Sequence, residues 1–385
     1  MVTSTPTLKT DLNWIRQTLQ TAIELECSTL PPYLAAMFSL QVQNYTVYNA
    51  LRSVVMEEMV HMATACNMLG ALGGTPQIKN LSFPYPVTGL PGGVEPDLSL
   101  GLARLSLEQL ANFMRLEMPD FLLRQLGRGE DYPTIGDFYL GIRKAIDDNK
   151  DAVRAAVKAG GPVNQVQDNI GIDPIGYNAE VDAVDQFNAA IEKIVEQGEG
   201  ASRETLFSGG GSEDESSHYA RFAEIFFGHA YQEPIPARKL TSATLSEFFK
   251  GNKISDWKVC NTLAVPTDSY SKILKIDPNG AAVTADLVKF DQAFSSIMET
   301  LDTVWNGPSA TWWPTLGGGV HAMMDLRILS CYNLIMKHRV PDSAVAQLSQ
   351  LYPQEFGYLQ KYTDLTEPVF YGPRFVNVNA ARPGS

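Results

Sequence analysis

The sequence has no uninterrupted apolar run long enough to span a bilayer, no run of lysine and arginine, and no Cys-x-x-Cys pair. A membrane-crossing helix needs about 20 consecutive apolar residues, so none is expected. With no basic cluster and a formal net charge of -13, the chain is a poor partner for nucleic acid or an anionic lipid surface. The four cysteines, Cys27, Cys66, Cys260 and Cys331, are scattered. Their spacing suggests neither a disulfide framework nor a zinc knuckle. The opening residues, MVTSTPTLKTDLNWIRQTLQ, lack the basic, apolar and small-residue order of a secretory leader. The expectation is a cytoplasmic protein with reduced thiols that binds neither nucleic acid nor membrane.

What the chain does have is helical periodicity. It has 385 residues, of which 44% are hydrophobic, ample for a core of its own. Apolar residues recur at helical spacing from about 8 to 42. Pro31-Pro32 interrupts that run, and a kink or break is expected there. A second helix is expected over about 47–72, stopped by the sequence GALGGTP. Residues 75–103 are rich in proline and glycine and show no period, as in long functional loops. Helical spacing resumes at Ser106, an N-cap with Gln109 three residues on. The next helix is expected from Thr134 to the double glycine at 160–161. Others are expected over about 179–196, 214–231, 282–305 and 320–338, with short strands near WKVCNTLAVP. The chain reads as mainly α, with a helical bundle over 8–235. A C-terminal extension over 236–385 is expected to pack two further helices on it.

The chemistry lies in the histidines. There are five, and the residue three positions upstream is glutamate for two of them: Glu58 for His61 and Glu215 for His218. The others follow Phe226, Gly318 and Ile335. On a helix, positions i and i+3 share a face. Each Glu-x-x-His pair can therefore aim a carboxylate and an imidazole at one point. Two such pairs, plus one glutamate from each of two other helices, make the ligand pattern of dinuclear carboxylate bundles. The first helix offers Glu24 and Glu26, and the third offers Glu108 and Glu117. Glu26 and Glu117 sit among apolar residues, where a carboxylate is costly to bury without a cation. They complete the set Glu26, Glu58, His61, Glu117, Glu215 and His218, with Glu24 an alternative to Glu26. Glu57 competes with Glu58 but has no histidine three residues on. Glu224 is a candidate to orient the site from further along the fourth helix. Four carboxylates neutralise two divalent ions, and this donor set suits iron or manganese better than zinc.

The segments AIELECSTLPPYLAAMFSL, VVMEEMVHMATACNMLGALGG, FMRLEMPDF, TIGDFYLGI and EDESSHYARFAEI resemble the ferritin-like proteins of the iminophenyl-pyruvate dimer synthase type, related to enzymes of violacein and indolocarbazole biosynthesis. The resemblance covers about residues 10–230, and looser similarity continues through FDQAFSSIMETL and VHAMMDLRIL. It implies a ferritin-like four-helix bundle with additional helices, and it places the metal ligands on the same six residues. The implied activity is that of a di-iron, O2-dependent oxidase or oxygenase of secondary metabolism. Two iron ions, or a manganese–iron pair, would be bridged by Glu58 and Glu215. The substrate would be a small aromatic or amino-acid-derived molecule, walled by Tyr33, Phe83, Tyr85, Trp312 and Trp313. Iron storage without an organic substrate is the alternative. A homodimer is expected on common symmetry alone.

Overall fold

A computed structural model describes residues 10–41, 45–125, 133–160, 165–166, 172–199, 206–207, 216–235, 239–241, 243–263, 270–308, 312–351 and 360–380. Helix α1 runs from Leu12 to Ser39, and the Asp11 carboxylate caps it by accepting from the Asn13 and Trp14 amides, both at 3.1 Å. It passes through Pro31 and Pro32 without breaking. Pro32 has no amide to give the carbonyl four residues back. That carbonyl, of Ser28, instead accepts from the Tyr85 hydroxyl at 2.5 Å. The 75–103 loop thus repairs the helix at its proline.

Helix α2 (Tyr45–Ala71) runs antiparallel to α1. The Arg16 guanidinium, near the start of α1, donates to the Leu72 carbonyl at the end of α2. A cation there satisfies a terminal carbonyl and opposes the helix dipole. The loop after α2 carries a short antiparallel ladder of β1 (Val87–Thr88) and β2 (Ser99–Leu100).

Helix α3 (Leu107–Leu116) starts at Ser106, whose hydroxyl accepts from the Gln109 amide. It stops earlier than its apolar spacing suggests. Pro119 disfavours helical backbone at Met118, and the chain restarts as α4 (Asp120–Gln125). The single helix expected over 134–161 is two, α5 (Ile135–Asp148) and α6 (Lys150–Gly160). Asn149 divides them: its amide group donates to the Thr10 and Ala145 carbonyls, a local bond that competes with the helix. Helix α7 spans Ala183–Gly198 and α8 spans His218–Phe227. The latter ends at Gly228, whose φ of 72° gives the left-handed turn common at helix ends.

Further helices described beyond α8 are α9 (Tyr270–Ile276), α10 (Gly280–Asn306), α11 (Trp312–Ile328) and α12 (Asp342–Leu351). Helix α11 starts well before Val320, so the three glycines at 317–319 lie within it rather than ahead of it, and a π-helical segment over Leu329–Ile335 extends it. Strands β3 (Thr262–Leu263) and β4 (Phe370–Tyr371) pair in parallel. Among the described residues no helix is long and apolar enough to cross a membrane.

Helices α1 and α2 pack together, α3 packs on α8, and α5 packs on α7. Rings join the layers: Tyr33 of α1, Phe113 of α3 and Phe222 of α8 meet with centroids 4.6 to 5.2 Å apart. Helix α10 is tied to α2 where the Trp305 indole donates to the Asn67 side chain at 3.0 Å.

Candidate metal centre

Three carboxylates and two imidazoles converge in the interior. Glu26, Glu58, His61, Glu117 and His218 are each at most 2% exposed. Donor atoms of Glu58, His61 and His218 lie within 4.8 Å of one another, and the two rings stack with centroids 5.4 Å apart. His61 Nδ1 is 3.8 Å from Glu58 Oε1 and 3.9 Å from Glu26 Oε2. His218 Nδ1 is 2.9 Å from Glu58 Oε1 and 3.5 Å from Glu117 Oε2. That buried nitrogen therefore sits between two carboxylate oxygens, neither in good hydrogen-bond alignment with it.

The carboxylates share one design. Each takes a hydroxyl donor on one oxygen and turns the other toward an imidazole. Tyr139 donates to Glu26 Oε1, Thr29 to Glu58 Oε2 and Tyr33 to Glu117 Oε1, all at 2.5 Å. The imidazoles mirror this arrangement. Both point Nδ1 inward, while Nε2 meets an outer acceptor: Gln197 Oε1 for His61 at 3.2 Å and Glu57 Oε2 for His218 at 3.0 Å. The same Glu57 oxygen accepts from Arg221 Nη2 at 2.7 Å. Outer partners of this kind fix the tautomer so that the inner nitrogen offers its lone pair to a metal. The last turn of α7 closes the site with bare backbone, since a Cβ on Gly198 would stand 3.5 Å from Glu117 Oε2.

The electrostatics describe a cage that favours bound protons over bare negative charge. Burial raises the Glu26 carboxyl well above the usual range, and the Glu58 charge adds to that. Burial and the Glu117 charge likewise raise Glu58. Burial, helped by the neighbouring His218, lowers His61 to about 3, which keeps it neutral and able to act as a ligand. Burial opposes the charge on His218 too, but the carboxylates of Glu117, Glu57 and Glu58 outweigh it and raise the ring well above its ordinary value. Glu57 is held down at about 2, because His218 and Arg221 overcome its burial. Three buried carboxyl groups packed against two buried imidazoles fit a divalent cation with mixed oxygen and imidazole donors, which would displace the protons they hold.

Of the six ligands expected from the sequence, five come together here. Glu215 lies outside the described residues. Helix α8 begins at His218 with Ser217 as its cap, later than the expected start near 214. Glu24 is half-buried and bonded to Gln20, leaving Glu26 as the α1 contributor. Glu117 caps the C-terminal end of α3 rather than standing within it. A carboxylate is disfavoured at that negative end of the helix dipole, which sharpens its need for a cation. The Glu224 carboxylate accepts from the Tyr231 amide at 2.7 Å and feels the charge of Arg221, the residue that holds Glu57. The expected substrate walls are also placed differently. Tyr33 supports Glu117, Tyr85 supports Ser28, and Phe83 packs on Tyr85. Trp313 lines a cavity between α1–α2 and α10–α11, and the side chain of Trp312 lies outside the description. The spacing rule missed Thr29, Tyr139, Gln197 and Glu57. Thr29 and Tyr139 had a signal, since each is a hydroxyl on a buried helix face that needs a partner.

The description ferritin-like matches residues 19–227. A crystal structure of a ferritin-like protein from Caulobacter vibrioides superposes with a TM-score of 0.55 at 19% sequence identity, over 83% of this chain and 96% of that one. No curated protein matches the sequence. The match spans more than half of the 385 residues and encloses all five converging side chains, so the chain belongs to the ferritin-like family.

Proposed function

We propose that the protein is a non-haem di-iron, O2-dependent oxidase or oxygenase acting on a small aromatic or amino-acid-derived substrate, with chemistry of the iminophenyl-pyruvate dimer synthase type. The observation that carries this reading is the convergence of Glu58, His61 and His218 donor atoms within 4.8 Å of one another, with the buried carboxyls of Glu26 and Glu117 beside the two rings. Glu26, Glu58, His61, Glu117 and His218 are the residues that would hold the ions, with Glu215 as the sixth donor. Bound there, two iron ions, or a manganese–iron pair, would supply the redox chemistry that activates O2.

The chain's own groups then have separable tasks. Thr29, Tyr33 and Tyr139 fix the rotation of the three carboxylates, leaving one oxygen of each turned inward. Gln197 and Glu57 hold the imidazoles with Nδ1 inward. Burial and the Glu117 charge keep the Tyr33 phenol protonated, so it remains a donor at Glu117 Oε1. Access for an organic substrate is supported by a cleft of about 510 Å³ with a mixed polar and apolar lining that includes Thr64, Tyr177, Asp185 and Lys193. Thr64 follows His61 by one turn of α2, and Lys193 precedes Gln197 by one turn of α7. An iron store needs no such cleft beside its ligands.

The deciding experiment measures metal per chain and O2 consumption after anaerobic reconstitution with Fe(II). About two ions per chain, with metal and O2 uptake both lost in Glu58→Ala and Glu215→Ala, is the expected result. Zinc alone, or iron content indifferent to both changes, overturns it.

A further inference from the structure

The α1–α2 pair has a second working face. Glu26, Thr29 and Tyr33 turn toward the carboxylate cluster, whereas Cys27, Leu30, Pro31 and Leu34 line a separate cavity of about 330 Å³. On α2, Glu58 and His61 face the cluster, while Met59, Val60 and Ala63 face the cavity. Helices α10 and α11 form its other wall.

The lining is almost wholly apolar. It holds Phe294, Trp305, Trp313 and five methionines, Met59 and Met298 among them. The Trp305 indole N–H is spent on Asn67, outside the cavity. His321, with Nδ1 2.9 Å from the Gly317 carbonyl, is exposed. A charged ligand would lose its hydration here and gain no partner. Water would find too few polar groups to hold it. Methionine sulfurs and aromatic edges both favour contact with a ring. A cavity on the order of 150 Å³ accepts benzene, so about twice that volume suits two fused rings.

We propose that this cavity binds an uncharged two-ring aromatic molecule, at a site distinct from the metal centre and independent of it. Of the three glycines of α11, Gly317 lies in the cavity wall and leaves it thin there. A Cβ on Gly317 would meet nothing within 4 Å, so a large side chain there enters open space.

Equilibrium dialysis of the full chain against 2-naphthol tests the proposal, with octanoate as the charged comparison. One saturable equivalent of 2-naphthol is expected. Gly317→Phe should weaken binding at least tenfold, with helical content and thermal midpoint matching those of Gly317→Ala, which should bind like the unaltered chain. Glu58→Ala should leave the affinity unchanged, whatever its metal content. Absence of saturable binding, equal binding to Gly317→Phe, or octanoate binding as tightly as 2-naphthol overturns the inference. So does loss of binding in step with metal loss in Glu58→Ala, which would place the ligand at the metals.

Discussion

The Tyr85 hydroxyl donates to the Ser28 carbonyl at 2.5 Å, where the helix would otherwise have used the amide that Pro32 lacks. Both residues are buried, so the carbonyl has no water to turn to. Leaving a buried acceptor unpaired costs about 1–3 kcal/mol. Tyr85→Phe should therefore destabilise the protein by about that amount, read as a lower denaturant midpoint with an unchanged slope. Tyr85→Leu should cost more, because ring packing is lost as well. A Tyr85→Phe protein as stable as the unaltered chain would show that the helix satisfies this carbonyl in another way.

Glu57 holds His218 from outside the cluster and is itself held by Arg221. Removing an outer partner of a ligating imidazole typically costs about 10–100-fold in metal affinity. Glu57→Ala should lower iron affinity within that range while the metal-free protein keeps its helical content. Arg221→Ala should act in the same direction, because it releases Glu57. Competition with a chelator of known affinity measures both. Equal affinities in all three proteins would mean that Glu57 and Arg221 serve only to tie α2 to α8.

The difference between what the sequence shows and what it hides is clearest at these glutamates. Glu58 and His61 are legible because α2 is regular through both, so their spacing alone puts them on one face. The same rule sets Glu57 aside, since its partner His218 comes from another helix, 161 positions away. Of the second motif only the His218 end is described, at the opening of α8. Glu117 was legible as a buried acid but not as a helix cap; the helix end is imposed by Pro119 two residues later. Tyr33 and Tyr85 show why an aromatic residue is a weak pointer to a substrate. A buried phenol must first find an acceptor, and only the fold reveals which carbonyl or carboxylate that is.

The raised carboxyls of Glu26 and Glu58 link metal, protons and stability. In the metal-free fold these groups bind protons more tightly than in the unfolded chain. Their contribution to stability is fully present below the ordinary carboxylate value and is lost as the pH climbs through their folded values. The metal-free protein should therefore lose thermal stability between neutral and mildly alkaline pH, where His61 is uncharged in both the folded and the unfolded chain. Metal displaces those protons, so its affinity should rise over the same interval and its binding should release protons. Thermal midpoints with and without metal at both pH values check this. A stabilisation by metal that is the same at both ends would show that the carboxyls are already ionised in the metal-free site.

Tyr139 and Thr29 test whether the hydroxyls aim the ligands or merely fill space. Tyr139 donates to Glu26 Oε1, and the Thr29 hydroxyl shares its one proton between Glu58 Oε2 and the Glu26 carbonyl. Tyr139→Phe and Thr29→Val keep nearly the same volume and remove the donor. Each frees one carboxylate oxygen to rotate into the cluster. Metal content should stay near the unaltered value, because the ligands themselves remain. The geometry at the ions should loosen, seen as a changed absorption or paramagnetic signature of the loaded site. O2 consumption should fall, since misplacing groups by about 1 Å can cost about 100-fold in rate. If Tyr139→Phe and Thr29→Val both retain the unaltered spectrum and rate, the carboxylates are held by the metal alone and the hydroxyls serve only the metal-free fold.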